Sequence, residues 1–506
     1  MKAIALITAI GAALRLAVAD QPLFADELAT FWIVTDNDFG GVVSTVHSNA
    51  EITPPLYFIL SWAATQISTA PELVRGPSLV AGVATIPLVY TLGTRTVGRP
   101  AALVASALTA LSPFMVYYSA EARAYGLMMA LVVLSTLALL RAIETRRATW
   151  WALYAACSVA AVYSHYTSVF VLAAQFGWAL WAAPHARRAV TLANVGAAVC
   201  FLPWITGVRN DFNSPTSAIL DALSPFTFED IRISVEHWTV GYPYSYLPLR
   251  QLPGLVALVL IAVALVGAAA ALTLRLARAA KPARLSDLDS RLVLVVAMAA
   301  SVPLGELIAS ALSTNLFTTR NLAAAWPALA LCMGALLMAA GPRLRVALAV
   351  LALAGFAIGA GRMLQEANQR PDYQAAANYV DGRAGPRDTV VDTTAALSPG
   401  PLSPLDVTLR RPHRVLRAGA PAVRDRPFAL FDRFIPLSEA LNRAALTVRG
   451  GRVLLVLAIP PDLPAFAERR RILDAQGYPA GYRRTARRTY RGFLDVRVDT
   501  LERPKR

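Results

Sequence analysis

Long apolar runs recur through the first two-thirds of this 506-residue chain. A run of roughly 17 to 25 apolar residues is long enough to cross a bilayer as a helix. Only 16% of the residues are charged and the mean hydropathy is +0.48, values that favour an integral membrane protein. Eleven membrane-spanning helices are therefore predicted, at 3–19, 78–97, 101–118, 124–141, 150–164, 166–183, 189–206, 253–274, 291–313, 321–340 and 344–361.

The distribution of Lys and Arg predicts the orientation of these helices. With a cytoplasmic N-terminus, the inner loops contain fourteen basic residues and the outer loops before residue 362 contain six. This bias follows the positive-inside rule, and an odd number of helices then places the C-terminal region outside the cytoplasm. A cleaved signal peptide is the alternative interpretation of 3–19, because Ala17-Val18-Ala19 resembles a cleavage site, although Arg15 inside the run argues against it.

Composition divides the chain into a membrane domain, 1–361, and a soluble extracytoplasmic α/β domain, 362–506. Within the membrane domain, 20–77 forms a first outer loop whose PPLYFILSWAATQI stretch suits an interfacial helix, and 207–252 forms a second. The soluble domain carries 26 basic and 15 acidic residues, a net charge of +11 that favours anionic lipid or polysaccharide over nucleic acid as a partner. The fold class predicted is mainly α and polytopic.

Periodicity within the soluble domain predicts both helices and strands. Its helix candidates are DYQAAANYV, SEALNRAALTV and AFAERRRILDAQ, and its strand candidates are DTVVDTT, RVLLVLAIP and FLDVRVDTL. The three cysteines of the chain all fall in predicted spans, so neither a disulfide framework nor a metal-ligand spacing is indicated.

Charged and polar residues gather at the outer ends of the predicted helices. Asp26 and Glu27 follow the first span, and three later outer turns contain Glu121 with Arg123, His165, and Arg320. Taken singly, each is explained by a helix cap, a solvated loop charge, an interfacial hydrogen bond or a lipid anchor, and Glu51, His47 and His237 are uninformative. Their shared depth is typical of an active site at the outer surface, because a transporter places its charges nearer the midplane.

Six sequence stretches resemble the GT-C glycosyltransferases, specifically the family 39-like branch that includes dolichyl-phosphate-mannose protein mannosyltransferases and aminoarabinose transferases. They are LRL with FADELA, TPPLYFIL, VRGPSLVAGVATIPLVYTLG, ALSPFMVYYSAEARAYGLMMAL, VYSHYTSVFVLAAQ and TTRNLAAAWPALAL, between residues 14 and 331. The resemblance implies a GT-C fold and an enzyme that moves a sugar from a polyprenyl-phosphate donor to an acceptor hydroxyl outside the cytoplasm.

The resemblance also implies roles for individual residues. Asp26, with Glu27 beside it, matches the catalytic acidic position, and Arg123 and Arg320 are the candidates for binding the donor phosphate. The supporting candidates are Glu121, His165, Tyr125 and Tyr57. Relatives commonly carry His before the paired prolines, where this chain has Thr53. The sequence requires no cofactor, and a divalent cation is left open.

The expected partners are a polyprenyl-phosphate sugar, a glycan, lipid or protein acceptor, and membrane lipids, in a cell membrane that is bacterial by the resemblance. A lipid-linked sugar flippase and a non-catalytic scaffold for envelope assembly remain as alternatives. The first would need polar groups through the bilayer centre, where the sequence offers few.

Overall fold

The computed structural model describes residues 2–48, 51–214, 226–242, 253–278, 289–312, 315–397, 401–419, 435–448, 451–460 and 467–504. It forms two compact units: Met1–Ala19 with Asp38–Arg362, and Asp20–Asn37 with Met363–Arg506. Residues 20–37, predicted as part of the membrane domain, thus group with the C-terminal chain. Two parts of the predicted second outer loop, 215–225 and 243–252, and residues 398–400 lie outside the described residues.

The first unit is helical throughout its described part. Its helices are α1 (Lys2–Ala19), α3 (Phe39–His47), α4 (Leu56–Thr65), α5 (Pro71–Thr96), α6 (Arg99–Leu111), α7 (Pro113–Ser119), α8 (Tyr125–Thr145), α9 (Ala148–Ser164), α10 (Ser168–Ala182), α11 (Arg187–Phe201), α12 (Ile205–Phe212), α13 (Phe228–Val240), α14 (Gly254–Ala277), α15 (Ser290–Leu312), α16 (Trp326–Ala339) and α17 (Arg345–Met363). A 3-10 helix, Asn321–Ala325, leads into α16.

Eight helical segments in the described residues are long and apolar enough to cross a membrane, and a ninth is formed if the bent pair α6–α7 counts as one span. The protein is therefore a multi-pass membrane protein. The predicted spans 150–164 and 166–183 correspond to α9 and α10, of 17 and 15 residues, which fall below that length. The count of eleven and the inside-outside orientation stay predictions.

A bend of 60° separates α6 from α7, and Arg15 explains how this bend is stabilised. Pro113 has no N–H to give the Thr109 carbonyl four residues earlier, so a backbone acceptor is left inside the bundle. The guanidinium of Arg15, which is fully buried, donates to the carbonyl oxygens of Thr109 (3.1 Å) and Ala110 (3.3 Å). A charged side chain of α1 thereby supplies hydrogen bonds to the backbone at the bend between α6 and α7.

Small residues let the helices of this unit approach closely. A methyl group added at Gly334 of α16 would lie 2.5 Å from the Ala101 carbonyl of α6, and one at Gly82 of α5 would lie 2.2 Å from the Ser119 side chain. Such contacts are typical of helix packing in membranes, where close backbone approach supplies much of the attraction.

The second unit combines α2 (Asp26–Thr35) with an α/β domain. Its strands are β1 (Thr389–Asp392), β2 (Val415–Gly419), β3 (Ile435–Pro436), β4 (Val453–Ile459), β5 (Arg483–Tyr490) and β6 (Asp495–Glu502), and its further helices are α18 (Tyr373–Arg383), α19 (Pro404–Thr408), α20 (Leu437–Thr447) and α21 (Ala467–Asp474). The sheet order is β3-β2-β1-β4-β6-β5, parallel from β3 to β4 and antiparallel beyond.

Two apolar cores cover the two faces of this sheet. Side chains of α20 and α21 pack on one face, and those of α18 and α19 pack on the other. The predicted fold class, mainly helical with a C-terminal α/β domain, is confirmed, and each of the six helices and strands predicted there is present. Strands β2, β3 and β5 were not predicted. The sequence of β5, RRTARRTY, lacks the apolar alternation that marks a strand.

Candidate active site

Arg123 is the centre of a buried polar cluster in the first unit. Its Nη1 donates to Oε2 of Glu51 at 2.5 Å, and its Nη2 donates to Oε1 of Glu51 and to Oγ1 of Thr53, each at 2.9 Å. The Thr53 hydroxyl and the Ile52 N–H also donate to Oε1 of Glu51, both at 2.9 Å. We call Glu51, Thr53 and Arg123 the Arg123 clamp. Its members are only 5–7% exposed.

The backbone around Arg123 is fixed from both sides. Arg123 lies in the turn between α7 and α8, where its N–H donates to the Glu121 carbonyl (2.7 Å) and its own carbonyl accepts from the Ser78 hydroxyl of α5 (2.6 Å). Gly126 permits this approach, since a Cβ there would lie 2.8 Å from the Ser78 carbonyl. The guanidinium also lies over the ring of Phe58, at 5.9 Å. The Arg123 side chain is therefore held in one orientation.

His165 lies in the turn between α9 and α10, within the electrostatic reach of two arginines. Burial, then the positive charges of Arg123 and Arg320, lower the pKa of His165 to about 3, so its imidazole is neutral at physiological pH. Its Nδ1 lies 3.0 Å from Oγ1 of Thr167, and its ring centroid lies 5.2 Å from that of Tyr125. His165 therefore lies against Tyr125 and is affected by the charges of Arg123 and Arg320.

A second hydrogen-bonded group adjoins the clamp. The Tyr166 hydroxyl donates to Asp211 of α12 and accepts from the Trp204 indole N–H at 3.1 Å. Burial, then Asp211, raise the pKa of Tyr166, which stays a neutral phenol. The negative charge of Glu51 contributes to the same shift. Beyond this group, His47 lies 2.9 Å from the Thr206 hydroxyl.

Asp26 and Glu27 belong to the second unit, at the start of α2. Asp26 is half-buried, whereas Glu27 has no exposed surface and pairs with Arg370, also buried, at 3.5 Å. Oε2 of Glu27 accepts from the Phe24 N–H at 3.2 Å, which satisfies an N–H ahead of the helix. Ala25, directly before Asp26, has φ +49° and ψ −118°, a strained conformation for a residue with a Cβ.

The other predicted supporting residues have structural contacts. Tyr57 is fully buried, and its hydroxyl donates to the Val74 carbonyl at 2.8 Å, joining α4 to α5. Glu121 is buried in the same turn as Arg123. Glu51 was missed, because it is one of seven acids in 20–77; the available signal was its place two residues before the distinctive Thr53-Pro54-Pro55. No group of three or more His, Cys, Asp or Glu side chains suited to a metal occurs among the described residues.

Comparison with known proteins finds one matching family model and several similar solved structures. Residues 53–206 match the family model described as dolichyl-phosphate-mannose-protein mannosyltransferase. The oligosaccharyltransferase of Archaeoglobus fulgidus, solved with a tethered acceptor peptide, is 12% identical with a TM-score of 0.51, covering 90% of this chain and 68% of that chain. No curated protein sequence matches the chain.

A second solved structure aligns over nearly the whole chain. ArnT from Cupriavidus metallidurans, solved with undecaprenyl phosphate, is 14% identical with a TM-score of 0.40, covering 98% of this chain and 97% of that chain. The likeness to the oligosaccharyltransferase concerns the fold, and the family match concerns a segment that includes Thr53 and Arg123. The chain therefore has the GT-C fold, and its residues 53–206 are similar in sequence to the mannosyltransferase family.

Proposed function

We propose that this protein transfers a sugar from a polyprenyl-phosphate donor to an acceptor hydroxyl on the extracytoplasmic face of a bacterial cell membrane. The observation that carries the proposal is the fixed, buried guanidinium of Arg123, whose charge acts with that of Arg320 on neutral His165, in turns predicted to lie at the outer surface. The GT-C fold supports the reaction class, and the excess of basic residues in the predicted inner loops supports the orientation.

The reaction forms one C–O bond and breaks another. The acceptor oxygen attacks the anomeric carbon opposite the phosphate, its proton passes to a carboxylate, and polyprenyl phosphate leaves with the electrons of the broken bond. One displacement inverts the anomeric configuration. We assign the carboxylate to Asp26 because its motif, FADELA, matches that of the family; Glu27, buried against Arg370, is assigned a positioning role.

The departing phosphate gains negative charge, so its site requires cations. Arg123 and Arg320 are proposed to supply them, and both already act on His165. A phosphate bound beside these guanidiniums would offset the charges that, after burial, hold the pKa of His165 low. Donor binding should therefore raise the pKa of His165, while burial, the largest cause of its low pKa, remains.

Transfer of labelled sugar tests the proposal. Membranes containing the wild type or Asp26→Asn are supplied with a panel of polyprenyl-phosphate sugars and envelope acceptors. The amide keeps the size of the side chain but accepts no proton, so we expect a loss of transfer on the order of 10²-fold or more. The panel also identifies the sugar and the acceptor class, whether glycan, lipid or protein.

Asp36→Asn is the matched control. Asp36 ends the same helix, is exposed and accepts a hydrogen bond from Thr35 at 3.0 Å, so its loss removes an equal charge. We expect this control to transfer at the wild-type rate. Full transfer by Asp26→Asn would contradict the role of Asp26. If the protein were a flippase or a scaffold, the wild type itself would transfer no sugar.

A further inference from the structure

We infer that Glu51 and Thr53 are positioning residues that orient Arg123 toward the donor phosphate. Neither residue is assigned to contact the reacting atoms. The inference rests on the proposed function, because it takes a polyprenyl phosphate as the ligand of Arg123. It concerns a carboxylate and a hydroxyl that the proposed reaction does not itself use.

The hydrogen bonds of the Arg123 clamp form a closed ring. Thr53 Oγ1 donates to Glu51 Oε1 and accepts from Arg123 Nη2, while Glu51 grips both terminal nitrogens of the guanidinium. A hydroxyl is the smallest side-chain group that both donates and accepts, so Thr53 links cation and anion in one ring. Two contacts from the carboxylate and one from the hydroxyl define the plane of the guanidinium.

Burial argues that this arrangement serves orientation. Removing two charges from water is costly, and a buried ion pair is often no more stabilising than apolar residues of the same volume. A buried ion pair whose hydrogen bonds are all short is therefore better explained by a need to hold Arg123 in place. The Phe58 ring, 5.9 Å from the guanidinium carbon, restricts the same group from another direction.

The clamp also makes Glu51 unsuitable as the general base. Its Oε1 accepts from Ile52, Thr53 and Arg123, and its Oε2 accepts from Arg123. Because both oxygens of this carboxylate are engaged in holding the guanidinium and its neighbours, neither is placed to receive the proton of an acceptor hydroxyl. Two acidic side chains of the first outer loop thus have separate tasks: Asp26 is proposed to receive the proton, and Glu51 holds the cation.

Thr53→Val is the decisive variant, because it keeps the shape of the side chain and removes both hydrogen bonds. The full-length protein is purified in nanodiscs, and its affinity for undecaprenyl phosphate and its KM and kcat for the donor are measured. We expect the dissociation constant and the donor KM to rise about tenfold, equivalent to about 1.4 kcal/mol, with a smaller change in kcat. Glu51→Gln should have a larger effect and Glu51→Asp a smaller one.

Thr85→Val is the matched control. Thr85 is fully buried in α5, and its hydroxyl donates to the Ala81 carbonyl of its own helix at 2.8 Å. It should bind undecaprenyl phosphate like the wild type. In an Arg123→Gln background, Thr53→Val should add almost nothing, because the residue through which it acts is gone.

The outcomes separate the two proposals. If the wild type binds undecaprenyl phosphate but Thr53→Val and Glu51→Gln bind it equally well while unfolding at a lower temperature, the residues are only structural and the inference is overturned. If the wild type neither binds undecaprenyl phosphate nor transfers sugar, the proposed function itself fails. Additive effects of Thr53→Val and Arg123→Gln would also overturn the inference.

Discussion

Two sets of arginines, one in each unit, are used in opposite ways. In the helical unit, Arg15, Arg75 and Arg123 are buried, and each donates to backbone carbonyls or to a carboxylate. On β5 of the α/β domain, Arg483, Arg484 and Arg488 are exposed on the edge strand of the sheet.

The difference follows from the surroundings. A buried cation must be satisfied by fixed acceptors, so its position is specified by the fold. An exposed cation is satisfied by water, and on an edge strand its charge also discourages pairing with another sheet. Burial of an arginine therefore indicates a defined task, whereas a run of exposed arginines indicates only a basic surface.

The largest effect is expected from Glu27→Gln. It leaves the buried Arg370 without its carboxylate, and breaking a buried pair in this way costs about 3–5 kcal/mol. Hydrogen exchange of the full chain should show faster exchange in α2 and around residue 370. Asp36→Asn, at the exposed end of the same helix, should leave this exchange unchanged; equal protection in both variants would mean that the buried pair contributes nothing to stability.

Arg15→Met should have the next largest effect. The substitution keeps much of the side-chain volume but leaves the carbonyls of Thr109 and Ala110 without this donor, at a cost of about 2 kcal/mol. Unfolding in mixed micelles with a denaturing detergent measures the loss. Lys2→Met, which removes a charge from the start of the same helix, is the control. Equal midpoints for the two variants would show that the bend does not need Arg15.

A third effect is a pH dependence caused by His165. Its folded pKa, about 3, lies below its ordinary value of 6.5, so the unfolded chain binds more protons between these values. Stability should therefore be unaffected by His165 above pH 6.5 and should fall as the pH decreases toward 3. His165→Asn should flatten this decrease, which we expect to be on the order of 1 kcal/mol because the ring is half-buried. Thermal unfolding at pH 7.5, 6 and 5 provides the measurement, and parallel pH profiles would contradict the assignment.

The smallest effect is expected on the exposed strand. Arg488→Gln removes an exposed charge and should change the free energy of unfolding by less than about 0.5 kcal/mol. Arg487→Gln should cost more, about 1 kcal/mol, because Arg487 pairs at 2.7 Å with Asp499, which is fully buried. Hydrogen exchange across β5 and β6 distinguishes the variants. A large loss for Arg488→Gln would contradict the contrast drawn between buried and exposed arginines.

Sequence reasoning succeeded where the pattern is periodic. Apolar length predicted the long helices of the first unit but not α3, α12 or α13. Runs rich in apolar and β-branched residues predicted β1, β4 and β6. It could not predict how individual charges pair, because pairing depends on which helices meet. Arg15 was an unexplained charge in a span until its contact with the bend at Pro113 was known, and that bend lies inside a single predicted span, 101–118.

The candidate site was predicted in part for the same reason. Arg123, His165 and Arg320 were grouped by their shared depth, and the structure brings them into electrostatic contact. Glu51 could not be distinguished from the other acids of the first outer loop, because only the fold shows which carboxylate meets Arg123. The role of Asp26 stays a prediction that depends on its sequence motif.

The backbone at Ala25 limits how this protein can vary. Its positive φ favours glycine, tolerates alanine poorly and disfavours any branched side chain at that position. A glycine would relieve the strain yet give the neighbouring aspartate a wider range of directions in which to point. We therefore expect natural variants at this position to be confined to glycine and alanine. Alanine should be retained where a fixed orientation of Asp26 matters more than an unstrained backbone.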